Sequence, residues 1–246
     1  MLDRFAYTAM TGAKHAMGQL ANTSHNLANA QTPGFRELLS TFRAVPVSGA
    51  SADSRAFVVD SVAGASSAPG TLTSTTNPLD IAFSGNGMLA VQRRDGSEAY
   101  TRAGKLQTDA SNVLRTFEGH RVVGMRGEIR IPEGVKDVEI TPDGSLFIKG
   151  DDSEWVLVDR LKYVGADLQL LTRAGDGLFE SSGAPLPQDD SIVSTSRTLE
   201  LGNVNVAESL VKLISENRMF ELNIRMIQTA EQNSKSASAL MSLSRA

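Results

Sequence analysis

Gly85-Asn86-Gly87-Met88-Leu89-Ala90 fits the G-x-G-x-x-A spacing with which a dinucleotide-binding turn opens. That chemistry needs a strand before the turn, which Leu79 to Phe83 can supply, and a helix after it. The first amides of such a helix meet the pyrophosphate. Here the following residues alternate toward Asp95-Gly96, a hairpin signal, so the spacing reads as a β-turn. The three histidines, His15, His25 and His120, lack the i, i+4 spacing of helical metal pairs. Asp151, Asp152 and Glu154 are acidic but lack the glycine and the twelfth-position glutamate of a calcium loop, and read as a solvated turn. No serine sits in a G-x-S-x-G elbow, and no paired carboxylates are framed by apolar residues. The expectation is a non-enzymatic chain with no catalytic residue, cofactor or metal.

The bulk composition points the same way. The 246 residues are 41% hydrophobic and 21% charged, with a formal net charge of −4, as for a folded protein with a real core. The acidic balance, with no basic run interleaved with aromatics, argues against nucleic acid as a partner. There are no cysteines, which excludes disulfides and thiolate metal sites. The segment from Met1 to Ala30 lacks the basic, apolar and small-residue regions of a cleaved leader. No run approaches the ~18 apolar residues of a membrane span, so direct membrane insertion is not expected.

The elements that would position any site are two terminal helices around a β-patterned middle. The first helix reads from about Asp3 to Ala30, with a seam at Ala6, Met10, Ala13, Met17, Leu20, Ser24 and Leu27 in alternating steps of four and three. Thr32-Pro33-Gly34 ends it, because Pro33 disfavours helical geometry at Thr32 and Gly34 permits positive φ. The last helix starts at Asn205 as a cap, with Glu208 placed to reach back. Its seam runs Val206, Leu210, Leu213, Asn217, Phe220, Ile224 and Ile227, then weakens through Glu231, Ser234 and Ser238 before Met241.

Between the helices, Ser48 to Thr76 is rich in Ser, Ala, Gly and Thr, with an apolar island at Phe57, Val58 and Val59, and reads as an extended connector. From Leu79 short strands recur between turn signals. Leu89–Gln92 and Ala99–Thr101 flank Asp95-Gly96, and Val138–Ile140 and Leu146–Ile148 flank Asp143-Gly144. Trp155–Val158 and Leu168–Leu171 add strands. The fold class is therefore α+β: long N- and C-terminal helices paired as a coiled coil, with a central, mainly antiparallel β domain. The expected divisions are residues 1–35, 36–76, 77–199 and 200–246. Most seams in single chains are intramolecular core, but terminal placement and a small, polar exterior favour packing against other subunits.

Asn26-Leu27-Ala28-Asn29-Ala30-Gln31-Thr32-Pro33-Gly34-Phe35 resembles the N-terminal signature of the bacterial flagellar rod and hook proteins. The resemblance continues, in family order, through Pro78-Leu79-Asp80-Ile81-Ala82, Gly85-Asn86-Gly87 and Ala99-Tyr100-Thr101-Arg102-Ala103-Gly104. It closes with Asn203-Val204-Asn205-Val206 and Arg218-Met219-Phe220-Glu221-Leu222-Asn223. Tyr7 to Lys14 and Phe42 to Val47 look like the proximal part of the rod, with the distal rod as the alternative. Departures are His25 where Asn is common, Met88-Leu89 where aromatics are common, and a serine-rich tail from Ser234.

The resemblance implies a structural subunit of the basal-body rod, assembling by helix packing and transmitting torque from motor to hook. It implies export through the flagellar type III apparatus without a cleaved signal, residence in the periplasmic rod, and copies of itself and other rod subunits as partners. The residues expected at the assembly interface are Met10, Met17, Leu20, Asn26, Leu27, Asn29, Phe35, Val206, Leu210, Leu213, Phe220, Ile224 and Ile227. A reading from another class is a partner- or carbohydrate-binding β domain with helical oligomerisation ends, which has no reason to carry the signature near Asn26.

Overall fold

The computed structural model describes residues 2–46, 56–150, 154–168 and 171–243. The chain divides into two compact units. One holds Met1–Ala28, Ser40–Ala63 and Asn205–Ala246, and the other holds Asn29–Leu39 and Gly64–Val204.

The first unit contains both helices, α1 (Leu2–Ala28) and α2 (Val206–Leu243). α1 stops at Ala28, where Thr32 N turns back to Asn29 O (3.0 Å), two residues before the expected end. At the start of α2, Asn205 Oδ1 accepts from Glu208 N (3.2 Å) and Asn205 O from Ser209 N (2.9 Å), so Asn205 caps the helix. Glu208 turns forward to Lys212 (2.8 Å) rather than back to the cap. At 38 residues α2 extends about 57 Å. The strands Leu38–Pro46 and Ala56–Ala65 pair as a two-stranded sheet within the segment read as a connector. The side chains of Phe57, Val58 and Val59, and of residues 237–246, lie outside the described set.

The second unit is β-rich. Its largest sheet has nine strands, with Leu171–Arg173, Phe179–Ser181, Glu98–Thr101, Gly87–Gln92, Arg121–Gly124, Leu114–Thr116 and Leu106–Thr108 adjacent in that order. The strand Asp137–Ile140 pairs with Ser145–Lys149, and that with Trp155–Arg160, in a separate three-stranded sheet. Both expected hairpins form, and both turns place glycine at positive φ: Gly96 at 86° and Gly144 at 88°. Of the strand expected over Leu168–Leu171, Leu171 lies in the strand Leu171–Arg173. Leu168 is a buried turn residue, and residues 169 and 170 lie outside the described set.

The strand Gly87–Gln92 is buried on both faces, which is why it reads as a continuous apolar run rather than an alternation. Leu89 and Val91 point into one cluster with Ile81, Leu106, Leu114, Val122 and Leu146. Met88 and Ala90 point the other way, against Tyr100, Val164 and Phe179. Gly104 is required beneath this packing, since a Cβ there would lie 1.7 Å from Ile81 O. Leu89 is fully buried, so Leu89→Ala is expected to cost about 2–5 kcal/mol in urea unfolding. A loss below about 1 kcal/mol would remove this cluster as the core.

Candidate assembly interface

Three charged side chains, Arg36, Arg102 and Glu200, are buried together in the β unit, each under 5% exposed. Arg102 donates from Nε and Nη2 to Glu200 Oε2 (2.9 and 2.7 Å). Its other donors go to main-chain carbonyls: Nη1 to Gly85 O (2.6 Å) and Gly87 O (2.9 Å), and Nη2 to Phe83 O (3.1 Å). The second Glu200 oxygen, Oε1, takes Arg36 Nη2 (2.9 Å) and Gly70 N (2.8 Å). Arg36 Nη1 also donates to Ala68 O. Burial and the neighbouring Arg102 push the Arg36 guanidinium below its usual range, while Glu200 opposes them.

The surrounding main chain is tied to the same point. Gly34 N donates to Glu200 O (2.7 Å), and Glu37 N to Asn203 Oδ1 (2.7 Å), across 166 residues of sequence. A Cβ on Gly34, at φ 73°, would stand 2.3 Å from Ala103 N, so both the turn and the close approach require glycine. Phe35 is buried with Ala30 and Val204, and the Arg173 guanidinium lies 4.8 Å from its ring centroid. Asp80 is fixed nearby in sequence by Thr75 Oγ1 (2.8 Å) and Asn77 Nδ2 (2.9 Å).

This arrangement settles the chemistry of Gly85-Asn86-Gly87. A strand follows the turn, where a nucleotide site needs a helix. The turn points the Gly85 and Gly87 carbonyl oxygens at a guanidinium, whereas phosphate is held by amide hydrogens. Of the acidic trio, Asp151 and Asp152 lie outside the described residues, and Glu154 is exposed. Among the described residues no three His, Asp or Glu side chains converge as metal ligands.

In the helical unit α1 and α2 pack antiparallel. Thr23 Oγ1 donates to Glu216 Oε1 (2.9 Å), and Gly12 lies against Asn223. Among the described residues, those buried in α1 are Ala9, Ala13, Ala16, Thr23 and Asn26, and those buried in α2 are Ser209 and Ala230. Leu213, Glu216, Phe220, Asn223, Ile224 and Ile227 are half-buried on α2, as are Leu20 and Leu27 on α1. The inward stripes thus run 9, 13, 16, 20, 23, 27 and 209, 213, 216, 220, 223, 227, 230. Each keeps the four–three spacing of the expected seam but is turned by one residue at alternate positions. Met10 and Met17 are 58% and 63% exposed, Ser24 and Asn217 are exposed, and so are Val206 and Leu210. The cause is size: alanines facing inward let two helices approach more closely than methionines would.

The expected interface residues therefore fall into three places. Leu20, Leu27, Leu213, Phe220 and Ile227 lie on the inward stripes, Ile224 is half-buried beside them, and Asn26 is buried. Met10, Met17, Val206 and Leu210 face outward. Asn29 and Phe35 belong to the β unit, where Asn29 Oδ1 accepts from Thr32 Oγ1 (3.3 Å). The sequence reading missed Arg36 and Glu200 and treated Arg102 only as part of a motif. No local signal marked them: Arg36 stands beside Glu37, and Arg102 meets Glu200 across 98 residues of sequence.

Two family models match the chain. One, described as the flagellar hook protein FlgE/F/G D1 domain, covers residues 82–148, and the other, the flagellar basal body rod FlgEFG protein C-terminal, covers residues 195–240. The flagellar basal-body rod protein FlgF of Escherichia coli is 40% identical over 99% of this chain and 100% of its own length. The FlgF of Salmonella typhimurium matches equally, at 40% over the same shares. The chain belongs to the flagellar basal-body rod protein family. FlgG of Bacillus subtilis is a weaker match, 27% identical over 93% of this chain and 96% of its own. The protein is a structural subunit of the basal-body rod, most like FlgF. In this rod subunit Arg102 lies in the first matched segment and Glu200 in the second, so the buried ion pair joins the two. Glu200→Gln leaves two buried guanidinium groups with no counter-charge and is expected to cost about 3–5 kcal/mol, read as a lowered unfolding midpoint. An unchanged midpoint would show that the cluster does not hold the β unit.

Proposed function

We propose that the two terminal helices form a coiled coil whose outward faces are the subunit contacts of the rod. The observation that carries this is the exposed apolar surface of α2. Val206, Leu210, Val211, Ile214, Met219, Leu222 and Met226 are all exposed, and at 100° per residue they fall on several sides of the helix. A helix apolar on several sides is the pattern of one surrounded by other protein, and exposed patches of this kind mark interaction surfaces. Tyr7, Met10 and Met17 add the same character to α1.

On this reading the interface residues fall into two classes. Leu20, Leu27, Leu213, Phe220, Ile224 and Ile227 join the two ends of one chain, with Asn26 among them. Met10, Met17, Val206 and Leu210 meet neighbouring copies and other rod subunits. Asn29 and Phe35 shape the segment that follows the first helix. Residues 1–35 and 200–246 act as the assembling ends, residues 36–76 as the connector and residues 77–199 as the β domain. The subunit sits in the proximal, periplasmic part of the rod and transmits torque from motor to hook. Likeness to FlgF over the whole length supports the proximal position over the distal one.

The subunit reaches the rod through the flagellar type III apparatus, without a cleaved signal. Terminal helices that are marginal alone suit that route, because isolated helices are weakly stable until packing buries their apolar faces. Binding then offsets the cost of ordering them. Met17→Asp and Leu210→Asp test the reading, since both change outward residues and leave the β core untouched. Burying an unpaired carboxylate in a subunit contact costs several kcal/mol, so each variant is expected to fall at least about ten-fold in purified basal bodies, with the unfolding midpoint unchanged. Wild-type amounts of either variant, with normal motility, would sink the proposal.

A further inference from the structure

The inward stripe of α1 opens with Ala9, Ala13 and Ala16, equal in size, before Leu20, Thr23 and Leu27. The alanine stretch by itself offers little preference between registers a turn apart, because each presents the same methyl groups. Gly12 breaks the uniformity. A Cβ built there would lie 2.6 Å from Asn223 Oδ1 and 3.1 Å from its Cγ, so the Asn223 amide occupies the space that any other residue would fill. That amide is held in turn: Asn223 Nδ2 donates to Met219 O, one turn back on α2 (2.8 Å).

We propose that Asn223, seated over the bare Cα of Gly12, is the register key of the terminal helix pair. It deepens the reading above, on which it rests, by naming the residues that fix how the two ends meet. A glycine notch filled by a polar amide selects one register, as a single buried polar group does in other helix pairs. Sliding α2 by one turn places the amide against an alanine methyl. The Thr23 to Glu216 hydrogen bond (2.9 Å) is made in the same register and breaks with it. Glu216 Oε2 is buried and takes no hydrogen bond among the described residues.

The test turns on a sign. Alanine in place of a mid-helix glycine favours the helix by about five-fold in equilibrium constant, so open space at Gly12 would make Gly12→Ala neutral or beneficial. The key predicts the reverse. In strains whose only copy carries the variant, Gly12→Ala lowers the subunit in purified basal bodies roughly two- to ten-fold, because the methyl turns the Asn223 amide out of its seat and its contacts are lost. Asn223→Ala lowers it roughly two- to ten-fold through the lost amide contacts. Combining the two removes one set of contacts rather than two, so the double variant is expected at the level of Asn223→Ala or above. The unfolding midpoint of the β unit stays unchanged throughout. Normal incorporation of Gly12→Ala overturns the key. A double variant that falls by the product of the two single losses also overturns it while leaving the helix pair in place. Failure of the outward aspartate variants instead removes the assembly surface itself.

Discussion

Glu200 is the residue on which the β unit turns. Its two oxygens bind two guanidinium groups and a main-chain amide, and its own carbonyl takes the amide of Gly34. In that one place the chain brings together segments near residues 34–37, 68–70, 83–87, 102–103 and 200–203. A carboxylate this buried is tolerable only because every partner is present, and removing one leaves an uncompensated charge. The same dependence explains why the neighbouring glycines are needed. Gly34 has no room for a Cβ against Ala103, and Gly70 approaches Leu201 just as closely. The charges need the backbone that near, and the backbone can come that near only without side chains.

The Gly85-Asn86-Gly87 turn shows how one spacing serves opposite chemistries. In a phosphate site the glycines let amides converge on an anion. Here they let carbonyls converge on the Arg102 cation, in a turn where Gly85 takes φ of 58°. What decides between the two is the element that follows. A helix would direct free amides at the turn, whereas the strand Gly87–Gln92 spends its own in the sheet with Glu98–Thr101 and Tyr163–Gly165.

Much of this was legible in the residues. The Asp95-Gly96 and Asp143-Gly144 hairpins, the Asn205 cap and the two terminal helices follow from local rules of turn chemistry and periodicity, which do not depend on distant partners. The buried ion cluster was not legible, because it joins Arg102 to Glu200 across 98 residues, and Arg36 to Glu200 across more, and no local pattern marks a charge as buried. The helix faces were half legible. A four–three repeat fits two neighbouring stripes that share Ala13, Leu20 and Leu27, and hydrophobicity favours the one with Met10 and Met17. Close packing favours the other, with Ala9 and Ala16, because small residues set the distance between helices. Hydropathy ranks what water rejects, and contact ranks what fits.

That difference bears on why the helices carry so much apolar surface outward. Ordering a residue costs about 1–2 kcal/mol of backbone entropy, and among the described residues of α2 only Ser209 and Ala230 are buried, while Leu213, Phe220, Ile224 and Ile227 are half-buried. A leucine- or methionine-sized side chain returns about 1.5–3 kcal/mol when buried, and α2 holds seven of Val, Leu, Ile or Met size in solvent. Among the described residues, α2 thus half-buries Leu213, Phe220, Ile224 and Ile227 and leaves a comparable set of apolar side chains facing out. On the proposed assembly, neighbours bury that outward surface and add to what the partner helix supplies.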